Sequence, residues 1–171
     1  MQNPFACVCL AVALLLAADD TATKTQDFSP KGGRFTIQMP GKPQEEIKKL
    51  NTAVGPIDLH LFVYSPDPDT AYIASYCDYP EVKKSASEKI LDGARDGAVK
   101  NLKGKLDQEK KITIDKYPGR DLVILTAGYA DRQRIYLVDN RLYQVILVGS
   151  REFVTGKDAE KFLASFKLTD K

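Results

Sequence analysis

The chain has 171 residues, with 25 Lys and Arg against 23 Asp and Glu, a net charge of +2, one His, three Cys and no Trp. At 43% apolar residues it is long enough to bury one core of its own. The even charge balance argues against a bulk nucleic-acid binder, which needs a clustered excess of Lys and Arg.

Residues 5–18 read FACVCLAVALLLAA, an uncharged apolar run ending in small side chains before Asp19 and Asp20. A bilayer span takes about 20 residues, so the run is too short for one. Its length and Ala-Ala exit predict a signal peptide over 1–18, cleaved after Ala17 or Ala18, and a secreted or periplasmic mature protein. The preceding Met-Gln-Asn-Pro lacks Lys and Arg, so an uncleaved anchor is the alternative and the one route to a membrane. Cys7 and Cys9 leave with the leader, and their place at the start of the run speaks against a lipoprotein signal. Cys77 then has no partner for an internal disulfide. With no basic neighbour to favour a thiolate, it reads as a small apolar strand residue.

Residues 19–27 are polar and aperiodic and predict a flexible tether ahead of a single domain over 28–168. Phe35, Ile37 and Met39 alternate with polar residues and predict a half-buried strand closed by Pro40-Gly41. Residues 45–51 suggest a polar edge strand. After Gly55-Pro56, Ile57, Leu59, Leu61 and Val63 alternate with Asp58, His60, Phe62 and Tyr64, and residues 71–79 return as another strand.

Ser85-x-x-Glu88 has capping-box spacing and predicts a helix start there. Ala86, Ile90, Ala94, Ala98 and Leu102 continue the helix to a stop at Gly104, with Gly93 and Gly97 as small residues for close helix-to-sheet contact. Strands follow over 110–115 and 122–126, joined by a type II turn at Tyr117-Pro118-Gly119-Arg120. Strands over 132–138 and 141–149 flank Asp139-Asn140, which fits a two-residue hairpin turn. Ala159, Phe162, Leu163 and Phe166 mark one face of a terminal helix. These elements describe an α+β fold: an antiparallel sheet of about six to eight strands, one long helix inserted after the early strands, and one C-terminal helix. Tyrosines on the second sheet face predict that helices cover both sides.

Motifs for chemistry are sparse. A lone His excludes a His-x-x-x-His zinc pair, and one mature Cys excludes a thiolate zinc site. Asp67, Asp69 and Asp78 match no calcium loop. Neither a phosphate-binding Gly-x-x-x-x-Gly-Lys-Ser/Thr nor a Gly-x-Ser-x-Gly is present. His60, with Asp58 on the same strand face, is the one candidate for acid–base chemistry. Arg132, Arg134, Tyr136, Arg141 and Tyr143 gather on the late hairpin, with Arg120 and Arg151 near, and form the candidate partner surface. The competing reading is a charged sheet edge that resists aggregation.

The stretches Phe28-Ser-Pro-Lys-Gly-Gly-Arg-Phe-Thr-Ile-Gln-Met-Pro-Gly, Tyr117-Pro-Gly-Arg, Arg134-Ile-Tyr-Leu-Val-Asp-Asn-Arg-Leu-Tyr-Gln-Val and Phe162-Leu-Ala-Ser-Phe together resemble a family of uncharacterised exported bacterial proteins similar in layout to the PsbP-like superfamily. The resemblance spans 28–168. It implies an N-terminal strand pair leading into an antiparallel sheet sandwiched by helices, and a role in docking onto larger protein assemblies without catalysis. It carries over no catalytic, metal-binding or cofactor-binding residue. The expectation is therefore a non-enzymatic exported domain that binds another protein, with no cofactor and no nucleic acid. The alternative is a carrier of a small hydrophobic ligand or lipid, held in a cavity lined by Ile57, Leu59, Ile90 and Ile146. An enzyme using His60 is the third reading.

Overall fold

A computed structural model describes residues 25–52, 55–80 and 86–169; the expected leader, most of the tether and the capping residue Ser85 lie outside them. Alternating apolar residues make long strands, and short turns fold each strand back on the one before. The main sheet is built from two such meanders. One comprises β3 (Gln44–Thr52), β4 (Gly55–Asp67) and β5 (Thr70–Asp78), and the other β6 (Lys105–Ile114), β7 (Tyr117–Leu125), β8 (Ala130–Val138) and β9 (Arg141–Gly149). They join where β5 pairs β9, giving seven antiparallel strands in the order β3-β4-β5-β9-β8-β7-β6. Helix α1 (Ser87–Asn101) connects the meanders and lies over β7 and β8. No described helix is long and apolar enough to cross a membrane.

Both faces of the sheet are covered, as its tyrosines required. On one face Leu91 and Ala94 of α1 pack with Ile57, Leu59, Cys77, Leu122, Ile135 and Leu137. On the other lies a second, three-stranded sheet in which β2 (Phe35–Met39) sits between β1 (Gln26–Phe28) and β10 (Lys167–Leu168). It packs there beside α2 (Arg151–Thr155) and α3 (Lys157–Ala164), with Phe35, Ile37, Met39, Phe162 and Phe166 meeting Phe62, Tyr76, Tyr136 and Tyr143 of the main sheet. Ile57, Leu59 and Ile90, named above as cavity lining, belong to the packed cluster under α1, and Ile146 is also buried.

Several local expectations are corrected. The strand over 35–39 is half-buried as its alternation predicts, with Phe35, Ile37 and Met39 buried and Gln38 exposed, but it sits at the centre of the small sheet, between β1 and β10. Pairing starts at Gln26, two residues inside the expected tether. Tyr117-Pro118-Gly119-Arg120 is strand: Ile114 pairs Tyr117 across a turn at Asp115-Lys116, and Pro118 falls where β8 no longer pairs, so its missing N–H leaves no gap in the ladder. Gly119 is needed inside the strand because a Cβ there would lie 2.5 Å from the Ile135 carbonyl oxygen. The expected terminal helix is α3, although Phe166 falls beyond its end, and a further short helix, α2, precedes it across Gly156, with Ser150 capping α2 through a 3.1 Å bond from the Phe153 N–H.

Helix α1 begins after Ala86 without a side-chain cap, and Glu88 reaches across to Lys111 and Arg120. It ends through Lys103 at φ +49°, ahead of Gly104. Gly97 is buried as expected, but a Cβ on Gly93 would meet nothing within 4 Å.

Candidate functional site

The arginines of the late strands are spent on holding the layers together. Arg132 and Arg134 project from β8 toward α3. Arg132 grips Asp121 at 3.1 and 3.0 Å and Glu160 at 2.8 Å; Arg134 reaches the same two carboxylates at 2.9 and 2.5 Å. Burial pushes the Asp121 carboxyl up, but the paired guanidinium hydrogen bonds outweigh it and hold the group below its ordinary range. On the opposite face Arg120, 2% exposed, clamps α1. It donates to Glu88 at 2.6 Å and Asp92 at 3.2 Å, and its Nε faces Glu109 at 3.2 Å. The planar, multi-donor guanidinium suits such work because one side chain can satisfy carboxylates from two elements.

The other three residues of the expected partner surface also turn inward. Tyr136 is buried and stacks on Phe166 with ring centroids 5.8 Å apart. Arg141 forms a two-pronged pair with Asp78, both contacts at 2.6 Å, and donates to the carbonyls of Gly32 and Gly33 at 2.6 and 3.1 Å. Its guanidinium lies 4.3 Å from the Tyr76 ring centroid. The Tyr143 hydroxyl donates to Gly33 at 2.9 Å. The Arg141 hydrogen bond holds the Asp78 carboxyl below its usual range. The surface expected from the alternation of Arg and Tyr along the hairpin is therefore largely interior, because both sheet faces carry a second layer.

What remains open at that end of the sheet is a cleft of about 630 Å³. Arg141 and Tyr143 form part of its wall, and Arg34, Lys116, Tyr117 and Asp139 complete the polar side. Arg34 has φ +57°, and its backbone carbonyl accepts a 3.1 Å bond from the Thr169 N–H, so the strained residue is tied at the cleft rim. Its guanidinium approaches Asp78 only to 4.0 Å and its side chain stays 35% exposed. Asp115 and Asp139 hold φ near +50° in their hairpin turns, a conformation Asp tolerates. Tyr117 donates to Asp139 at 3.4 Å, Lys116 sits 5.3 Å from the Tyr117 ring, and Asn140 locks the β8–β9 turn to Tyr79 through bonds of 2.8 and 2.9 Å. The reading of 117–120 as a turn hid Lys116 and Tyr117. Gly32-Gly33, which frees the backbone just before Arg34, was the signal for the third rim residue.

The candidate acid–base residue is placed differently. His60 stacks on Tyr76 at 4.5 Å with 7° between the rings, and among the described residues its buried Nδ1 has no hydrogen-bond partner. Asp58 stands exposed on the same strand. Cys77 is buried, and burial pushes its thiol up to about 12, as befits a core residue. Among the described residues no group of three or more His, Cys, Asp or Glu could hold a metal ion.

A buried polar row crosses the α1 side of the sheet. Gln133 donates to Asp131 at 3.0 Å, Gln144 to Gln133 at 3.5 Å and Ser75 to Gln144 at 3.4 Å. Asp131 is 4% exposed. Burial pushes its carboxyl up to about 7, against the opposing hydrogen bond from Gln133.

No family model matches the chain, and no curated protein matches it. Among solved structures, the solution structure of cyanobacterial PsbP (CyanoP) from Synechocystis sp. PCC 6803 is similar, with a TM-score of 0.55 over 91% of this chain and 98% of that one, at 12% identity. The likeness is one of fold: the chain has a PsbP-like α+β architecture, as the sequence resemblance implied.

Proposed function

We propose that the protein is an exported, non-enzymatic domain that binds another protein through the cleft at the hairpin end of its sheet. The observation that carries this reading is the division of labour among the arginines. Arg120, Arg132, Arg134 and Arg141 are bound closely to carboxylates of the fold, whereas Arg34, which meets Asp78 only at 4.0 Å, and Lys116 stand at the mouth of a walled cleft. Tyr117, Val138 and Leu168 add apolar surface between them. Mixed polar and apolar lining of this kind suits a protein segment, which brings both backbone polar groups and side chains. Catalysis through His60 would need a nucleophile or acid converging on it, and its ring is instead engaged with Tyr76.

A photo-crosslinking residue placed at Lys116, with a second at Asp69 as a distal control, tests the site in the cells that make the protein. A partner captured from position 116 alone, whose binding to the purified protein weakens on Arg34→Glu and Lys116→Glu substitution, is the expected result. Equal labelling from both positions, or full binding by the doubly substituted protein, overturns it. N-terminal sequencing of the extracytoplasmic fraction tests export: the mature chain should begin at Ala18 or Asp19.

A further inference from the structure

The main sheet ends on β3, which pairs β4 on one side and no other strand among the described residues on the other. This edge is nine residues long and carries Ile47, a large apolar side chain left 55% exposed. An edge of that length is a template for another strand. Proteins commonly blunt such edges with charge, and β3 has Glu45, Glu46, Lys48 and Lys49 around Ile47. A run of one sign would repel every copy of itself. The order Glu-Glu-Ile-Lys-Lys does the opposite, because reversed end to end it becomes its own complement.

We propose that two copies of this chain associate through β3, pairing antiparallel about a two-fold axis at Ile47 and joining their sheets edge to edge. The reading stands apart from the cleft, whose residues it does not use. With Ile47 opposite Ile47, Glu46 faces Lys48 and Glu45 faces Lys49 in both directions. Sliding one strand by two residues, the smallest slip that keeps every side chain on its own face, sets Glu46 against Glu46 or Lys48 against Lys48. A parallel in-register pairing stacks like charge on like throughout. Opposite charges directly across strands stabilise and like charges destabilise, so one register is selected.

The faces agree as well. Glu45, Ile47 and Lys49 oppose Phe62, His60 and Asp58 in β4 and so share one face, while Glu46 and Lys48 share the other. Lys48 already lies 3.3 Å from Glu46 in its own chain, and a facing copy would extend that pair into a ring of alternating charges. A two-fold axis through a residue pair completes the backbone ladder whichever alternate set of N–H and C=O groups points outward. An isologous contact of this kind closes at two chains. A single strand pair is a small interface, which puts the dissociation constant on the order of 10 μM.

Sedimentation of the purified protein across roughly 1–500 μM, bracketing that constant, should show a reversible monomer–dimer equilibrium. Glu45→Lys with Glu46→Lys should weaken it by roughly 100-fold, as should Lys48→Glu with Lys49→Glu. Mixing those two variants should give a heterodimer, and all four substitutions in one chain should restore the homodimer. Circular dichroism of each variant establishes that it is folded. Ile47→Cys adds a geometric readout: the facing Cα atoms would be about 4.5–5.5 Å apart, within disulfide reach, so mild oxidation should yield dimers linked through position 47, and Lys110→Cys on the opposite edge should not. A protein that stays monomeric over that range, a dimer indifferent to charge reversal, or linkage equally efficient from position 110 would overturn the proposal.

Discussion

Replacing Asp131 with Asn tests the reading of the buried polar row most directly. The folded carboxyl is pushed to about 7 from an ordinary value of 3.8, by burial against the opposing hydrogen bond from Gln133. A group whose folded pKa is raised contributes its full share to stability below the unfolded pKa and loses it as pH rises through the folded value. Between pH 4 and 7 the unfolded chain therefore gives up a proton that the folded chain keeps, and each pH unit lowers stability by up to about 1.4 kcal/mol. Across that window the loss sums to about 4 kcal/mol.

Asn has the same shape and never ionises. Its oxygen can accept the Gln133 bond now made at 3.0 Å to Asp131. The Asp131→Asn protein should match the parent near pH 4 and exceed it by about 2–4 kcal/mol at pH 8, the lower figure allowing for local relaxation around a charged carboxylate. Asp78, Asp121 and Glu160 have lowered values and act in the opposite sense, losing their contribution as pH falls. They are common to both proteins, so the difference curve isolates position 131. Urea unfolding followed by tyrosine fluorescence at pH 4, 5, 6, 7 and 8 measures it, the chain having 8 Tyr and no Trp. A difference that does not grow with pH, or a variant less stable at pH 8, would refute the reasoning, since the carboxylate would then be charged and well served in the fold.

Further outcomes follow from the packing. Gly93→Ala, in a helix interior with open space around the new methyl, should raise stability by about 1 kcal/mol in denaturant unfolding. Phe35→Ala should lower it by about 3–5 kcal/mol, because Phe35 is fully buried and touches Phe62, Tyr76, Tyr143 and Phe166. Removing both Arg132 and Arg134 leaves Asp121 without its partners, with an expected loss of about 3 kcal/mol. Amide exchange should then rise across 157–164 before it rises in α1, whose clamp is Arg120.

Much of the fold was written locally. Period-two alternation marked the strands of both meanders, and Asp139-Asn140 marked the hairpin that joins β8 to β9. The four-residue apolar spacing of α1 was equally plain, and the aromatic content of both strand faces foretold a covered sheet. These signals survive in one dimension because residues on one face of a strand or helix recur at fixed intervals. Turn residues were less secure. Pro118-Gly119 looks like a turn in isolation, yet Gly119 is set by the close approach of Ile135 on the neighbouring strand, a contact between segments far apart in the chain.

The candidate site belonged almost wholly to that second kind of information. Alternation placed Arg132, Arg134, Tyr136, Arg141 and Tyr143 together but could not say whether water or another layer lay over them. The small sheet and α3 decided it, turning expected recognition residues into clamps and leaving Arg34 and Lys116 at the rim. Which side chains share a face was legible from the order of residues, because backbone geometry enforces it without reference to the rest of the chain. Which faces stay wet was settled in three dimensions, since burial depends on what packs against them, and the layer over the arginine and tyrosine face comes from the two ends of the domain.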